Sequence, residues 1–221
     1  MDQYNSIKKA CKINDIIFKE IVNSFDFKTE NDLKLYILKR FKDFGVGSSY
    51  TPIVANNTNV IHVVPSKKKF SRGFLVLDFG SKVNGYCSDM TRTIFIGKAN
   101  AKERKLYKLL KDCQWKCVKK VKEGVSCKEL DAYSRKLLGK YKKFYLHSLG
   151  HGVGNHIHTK PRLSPRFDDY LEEGQFVTIE PGIYIKNKNA CFGMRIEDTL
   201  LVKKKGYEIM TNSPRNFIEI K

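Results

Sequence analysis

The stretch LVLDFGSKVNGYCSDMTRTIFIG, residues 75–97, places an aspartate, Asp78 and then Asp89, in each of two apolar runs joined by a turn. A carboxylate among Leu, Val, Phe and Ile side chains stays ionised only where a positive group meets it. That group can be an arginine or a metal ion. Asn84-Gly85 favours a type I′ hairpin turn, and a turn centred there sets Gly80 opposite Asp89. Side chains alternate along a strand, so Asp78 shares a face with Gly80, and both aspartates project to one side as diagonal neighbours roughly 7–8 Å apart. The reading depends on register, because a slip of one residue turns one of them away. In an ordinary hairpin the same aspartates would pair with Arg72, Arg92 or a backbone amide, and this stretch alone leaves both readings open.

The whole chain bounds the search for a partner. Its 221 residues, 41% of them apolar, can bury a core as one domain or as two closely packed halves. Lys and Arg number 42 against 23 Asp and Glu, a formal net charge of +19. An acidic partner such as RNA is one reading of that excess. The lysines are, however, spread over most helices and loops, with short runs at 67–69 and 203–205, which is the pattern of a solvated surface. The N-terminus, MDQYNSIKKACK, has no run apolar enough for a signal peptide or a membrane span, so a cytoplasmic protein is expected. Six cysteines without a CxxC pair read as reduced, mostly buried thiols. Cys87 has the same strand parity as Asp89 and is expected to face the same site.

The organisation repeats. Ile7, Ala10, Cys11, Ile17 and Ile21 fall at helical spacing within residues 3–25, and Thr29 with Asp32 opens a second helix that Gly45 closes. Strand-like segments then run to Gly97. In the second half Asn100 with Glu103 caps a helix to about Lys122, Ser126 with Glu129 caps another, and strand-like segments extend from about Tyr145 to the end. Two units of helix, helix and strands suggest an internal duplication.

If the first half contributes two carboxylates, the second should hold the rest of a site. It offers HSLGHGVGNHIH from His147, FVTIEPGIYI around Glu180 and GMRIEDTLLV around Glu197. Both glutamates again lie in apolar runs. Gly150, Gly152 and Gly154 argue against a helix through the histidines and are expected to let the backbone pass close to a bound group. Asp78, Asp89, Glu180 and Glu197 would bring four negative charges together, and such carboxylates cannot all ionise unaided. Two divalent cations offset that charge, and oxygen ligands with one imidazole suit Mn²⁺ best, with Co²⁺, Fe²⁺ or Zn²⁺ as alternatives.

In this order, D-x10-D within LDFGSKVNGYCSDMTRT, HSLGHGVG, IEPGIY and GMRIEDT resemble the pita-bread metallopeptidases. The R-I-E-D-T form is similar to their Xaa-Pro aminopeptidase and prolidase branch. The resemblance covers nearly the whole chain. It implies an α+β pita-bread fold, with two pseudo-symmetric helix-helix-strand halves around a curved antiparallel sheet. It also implies a single catalytic domain over residues 1–221, lacking the N-terminal domain of longer relatives, and is compatible with a homodimer. Carried over position by position, it makes Asp78, Asp89, His151, Glu180 and Glu197 the metal ligands, with Asp89 and Glu197 bridging. Glu180 would double as the proton-transferring group. His62 and His158 would act on the substrate, His147 would line the pocket, and Arg195 would stand behind the ligands on the substrate side.

The implied activity is metal-assisted hydrolysis of the bond before a proline in the second position of a peptide. The chain departs from its relatives at Thr159, where many have a glutamate, and at Asn56-Asn57, where a glycine is frequent. Methionine aminopeptidase shares fold and ligands but usually carries E-H-T where this chain has Glu197-Asp198-Thr199. A non-catalytic pita-bread module binding nucleic acid or protein is the alternative of a different class.

Overall fold

The computed structural model describes residues 2–58, 60–187 and 190–220. Two helices, α1 (Gln3–Asn23) and α2 (Glu30–Asp43), lead into strands β1 (Gly47–Ser48), β2 (Ile53–Asn56), β3 (Gly73–Asp78), β4 (Ser81–Val83), β5 (Tyr86–Cys87) and β6 (Thr91–Ile96). The second half follows the same order, with α3 (Ala101–Val118) and α4 (Cys127–Leu138) ahead of β7 (Gly150–Gly152), β8 (Thr159–Leu163), β9 (Phe176–Ile179), β10 (Gly182–Asn187), β11 (Ala190–Arg195), β12 (Asp198–Lys203), β13 (Gly206–Ile209) and β14 (Glu219–Ile220). The main sheets run β14-β6-β3-β2 and β13-β12-β9-β7-β8, antiparallel except for the β14–β6 pair.

The helix starts lie where their capping residues place them. Thr29 with Asp32 and Asn100 with Glu103 both close reciprocal capping boxes, and the Ser126 hydroxyl accepts the Glu129 N–H. The third helix ends at Val118, four residues short of the expected Lys122. Residues 139–144 form a 3-10 turn, so the strands of this half begin at Gly150.

The opening hairpin keeps its expected register. Val83 pairs with Tyr86, Lys82 with Cys87 and Asp78 with Thr91, a single alignment that also sets Gly80 against Asp89. Asn84 and Gly85 have φ of 49° and 82°, the positive pair a type I′ turn demands. A Cβ on Gly80 would sit 1.8 Å from the Ser88 carbonyl oxygen, so only glycine allows the strands to close there.

Alternation along β3 decides which side the site occupies. Leu75 and Leu77 pack with Ile17, Ile21, Leu33 and Ile37 of α1 and α2. Phe74, Val76 and Asp78 face the other way, and Phe74 joins Phe95, Leu110, Val177 and Met194 in the core of the second half. Asp78 thus ends a buried, otherwise apolar row at the seam between the halves.

Candidate active site

A cavity of about 620 Å³ lies at that seam, and its walls carry Asp78, Asp89, His147, His151, His158, Glu180, Arg195, Glu197 and His62. Every site residue expected from the sequence therefore meets in one place. The two aspartates do converge, because the Tyr50 hydroxyl hydrogen-bonds both the Asp78 and the Asp89 carboxylate.

The partner of Asp78 is Arg195, whose Nη2 donates to Oδ2. Neither arginine of the ordinary-hairpin reading is involved. Arg72 pairs with Glu103, and Arg92 pairs with Asp198. Arg195 also donates to Tyr184 Oη at 2.6 Å and Thr91 Oγ1 at 3.1 Å, which holds it behind the carboxylates.

The glycines beside His151 serve the sheet rather than a ligand. A Cβ on Gly150 would lie 2.0 Å from Thr178 O, and one on Gly152 would lie 2.0 Å from Lys160 O, so both let neighbouring strands approach. His151 Nδ1 lies 3.1 Å from the Gly152 carbonyl, which can only accept, so that nitrogen carries the hydrogen. Nε2 then faces the carboxylates, 3.3 Å from Glu180 Oε1 and 3.6 Å from Asp89 Oδ2. A metal-binding histidine is fixed by just such a bond from its other nitrogen.

His147 is locked on both sides. Nδ1 donates to Ser148 O at 2.8 Å, leaving Nε2 to accept from the Tyr184 hydroxyl at 3.0 Å. Burial lowers its pKa to about 4, so it is neutral at pH 7. His158 stacks edge-on to His151 with ring centroids 4.3 Å apart, and burial, with His151 beside it, lowers its pKa. His62 lies on the loop between β2 and β3. Glu30 anchors that loop by accepting from the Ser66 N–H and hydroxyl, at 3.3 and 3.1 Å.

The charge balance is uneven. Burial would raise the Glu180 pKa, but the His151 hydrogen bond and charge, with His147 and Arg195, outweigh it and hold the carboxyl at about 2. Burial, reinforced by neighbouring carboxylates, pushes Asp89 and Glu197 well above their ordinary range. Thr91 Oγ1 donates to Glu197 Oε2 at 2.6 Å, while Glu197 Oε1 is buried with no hydrogen-bond partner among the described residues. Asp89, His151 and Glu197 offer ligand atoms within 4.8 Å of one another. An orphaned carboxylate oxygen in such a cluster, beside a histidine whose Nε2 is turned inward and holds a proton that a metal ion would displace, fits a divalent cation.

The profile of metallopeptidase family M24 matches residues 5–204. The chain belongs to that family. It is 36% identical to the Xaa-Pro dipeptidase of Pyrococcus furiosus, over 98% of this chain and 64% of that protein. Among solved structures, an Xaa-Pro dipeptidase from Bacillus anthracis superposes with a TM-score of 0.93 at 35% identity, over 99% of this chain and 62% of that one. An X-Pro aminopeptidase from Thermotoga maritima gives 0.92 at 32% identity, over 99% and 62%. The chain thus spans just under two thirds of the length of these relatives. At this similarity the fold is the α+β pita-bread fold of M24 prolidases.

Two features of the M24 site carry no local sequence signal. Tyr50 joins the two aspartates from a loop with no distinguishing pattern. Arg162, its guanidinium 4.6 Å from the Phe167 ring centroid, adds a cation to the cavity wall. Of Asn56 and Asn57, the second has φ of 50°, a conformation asparagine tolerates better than most residues. Cys87 does not face the site: β5 ends there and Asp89 lies beyond it, while the thiol packs with Ile7, Cys11 and Val153. Cys11, Cys87, Cys113, Cys117 and Cys127 are free thiols, all buried. No helix of the described residues is long and apolar enough to cross a membrane.

Proposed function

We propose that this M24 chain is a dimetal-dependent exopeptidase that hydrolyses the Xaa-Pro bond at the N-terminus of peptides or in dipeptides. The observation carrying the reading is that Asp78 and Asp89 from one half and His151, Glu180 and Glu197 from the other line one cavity, with Glu197 Oε1 unbonded. The names of the relatives supply the Xaa-Pro specificity.

Asp78, Asp89, His151, Glu180 and Glu197 would hold two divalent ions, with Mn²⁺ the best match to mainly oxygen donors and Co²⁺, Fe²⁺ or Zn²⁺ as substitutes. Bound there, such ions polarise a peptide carbonyl and make water nucleophilic at neutral pH. Glu180, ionised because its pKa is about 2, accepts the proton of the attacking water and returns it to the leaving nitrogen. A neutral His158, on the cavity wall beside His151, donates a hydrogen bond to the carbonyl oxygen as charge develops on it, and His62 borders the same space. His147, with both nitrogens occupied, orients Tyr184 and through it Arg195. Ile53, Ile61, Val63, Ile157 and Phe167 give the cavity an apolar side that suits a proline ring.

The deciding experiment incubates purified protein and Mn²⁺ or Co²⁺ with Xaa-Pro dipeptides, longer Xaa-Pro peptides and Met-Ala peptides, and identifies products by mass. Release of the residue before proline is expected. Cleavage of Met-Ala peptides alone would establish the methionine aminopeptidase alternative, and no cleavage of any peptide would favour the non-catalytic module.

A further inference from the structure

Behind Glu197, on the side away from the cavity, lies a buried polar cluster that the proposed chemistry does not use. Arg92 and Asp198, 1% and 0% exposed, form an ion pair with Nη2–Oδ1 at 2.7 Å. Gln114 Nε2 donates to Asp198 Oδ2 at 2.6 Å, Thr211 Oγ1 donates to Oδ1 at 2.8 Å, and Arg215 pairs with the same carboxylate. Ser213 O takes Arg92 Nη2 at 2.8 Å and Nε at 3.2 Å. Apolar residues of equal volume often stabilise a core as well as such a pair does, so stability alone does not account for it.

Geometry does. Arg92 Nη1 donates to two carbonyl oxygens, those of Thr91, at 2.9 Å, and Glu197. The same two residues are joined across the halves by the Glu197 N–H to Thr91 O bond, 3.0 Å, and by Thr91 Oγ1 to Glu197 Oε2, 2.6 Å. One guanidinium thus grips the start of β6 and the link between β11 and β12 at the point where the Glu197 carboxylate is set. Asp198, the first residue of β12 and the next position in the chain, fixes the plane of that guanidinium through its carboxylate. A lysine could hold the charge but not this fork.

We propose that the Arg92–Asp198 pair is a positioning unit for the metal centre. It fixes the backbone of Glu197 and the Thr91 hydroxyl so that Oε2 is held and Oε1 is left for the cation. The inference rests on the dimetal reading of the site and gives a role to the aspartate in Glu197-Asp198-Thr199. Arg215 is the internal control, because it bonds Asp198 through Oδ2, and not through the Oδ1 that Arg92 and Thr211 share, and no bond joins it to Thr91 or Glu197 among the described residues.

The test compares wild type, Arg92→Lys and Arg215→Lys, all of equal charge, after metal removal. Mn²⁺ affinity is measured by calorimetry, the Co²⁺ absorption spectrum is recorded, and unfolding is followed in chelator. Arg92→Lys is expected to weaken metal binding by about 10–100-fold and to shift the Co²⁺ bands. Arg215→Lys is expected to lower the unfolding midpoint while leaving both metal readouts at wild-type values. If Arg92→Lys does not fold, Thr211→Val, which frees the Asp198 Oδ1 that orients Arg92, is expected to shift the Co²⁺ bands in the same direction. Wild-type affinity and spectrum in Arg92→Lys or, in its place, Thr211→Val would overturn the inference, as would equal metal loss in Arg215→Lys. A wild-type chain that takes up no metal would instead refute the dimetal reading itself.

Discussion

Replacing Arg195 with methionine separates the two cations that can answer the Asp78 carboxylate. The side chain of Arg195 is 3% exposed, donates to Asp78, Thr91 and Tyr184, and lies 3.8 Å from Glu180 Oε2. Methionine fills most of the volume and removes the charge. Breaking a buried pair by deleting one partner costs about 3–5 kcal/mol. In a chain of this size each kcal/mol moves the melting temperature by about 2–4 °C, so Arg195→Met should melt about 6–20 °C lower in chelator. Metal at about 100 times its Kd should add about 2.7 kcal/mol to wild type. In the variant it also meets the carboxylate that Arg195 no longer pairs, so the gap between the two proteins should narrow. Scanning calorimetry in chelator and in excess Mn²⁺ measures both gaps. A loss below about 1 kcal/mol in chelator, or a gap that metal leaves unchanged, would refute the idea that arginine and metal offset the same charge.

Asp89→Ala and Glu197→Ala should each lose bound metal, seen by elemental analysis of the purified variant; full occupancy in either would remove that residue from the ligand set. His158→Ala should lose turnover by about 10²–10³-fold while keeping its metal, the effect of removing one hydrogen bond to the developing oxyanion. A metal-free His158→Ala would make that histidine a ligand instead. Metal affinity should rise with pH, because Asp89 and Glu197, whose pKa values burial has raised, keep protons that a cation must displace. The same two groups favour the metal-free fold below the ordinary carboxylate range, and that contribution fades as pH climbs through their raised values. Equal Kd values at pH 5.5 and 7.5 would contradict both statements.

What the sequence revealed follows the range of the interactions involved. The hairpin register was legible because Asn84-Gly85 dictates the turn locally and one turn aligns every pair from Val83–Tyr86 to Asp78–Thr91. The helix starts were legible for the same reason, since a capping box spans only four residues. Arg195 lies 117 positions from Asp78 and Asp198 lies 106 from Arg92, and no local pattern announces either pair. Strand parity failed for Cys87 because the regular strand stops before Asp89, so an alternation count cannot be carried across residues 88–90. The glycines around His151 were correctly read as marking a close approach, but the approaching group is the backbone at Thr178 and Lys160, which sequence alone cannot show.

Arginine or metal is therefore a question with two answers, one for each part of the cluster. Asp78 meets Arg195, and Glu180 meets His151, with Arg195 close by. Among the described residues, the Asp89 carboxylate has only the Tyr50 hydroxyl in hydrogen-bond contact, with His151 Nε2 at 3.6 Å, and the Glu197 carboxylate has only the Thr91 hydroxyl. A hydroxyl satisfies an oxygen but supplies no full positive charge, which is why both carboxyls are driven to hold protons. These two are the residues the resemblance makes bridging, one from each half of the chain, beside the His151 imidazole, whose Nε2 faces inward. Protonation neutralises them one at a time and adds no link between the halves. A divalent cation neutralises both and ties the first half to the second, so the same charge pattern that makes the seam costly without metal makes it a selective place to bind one.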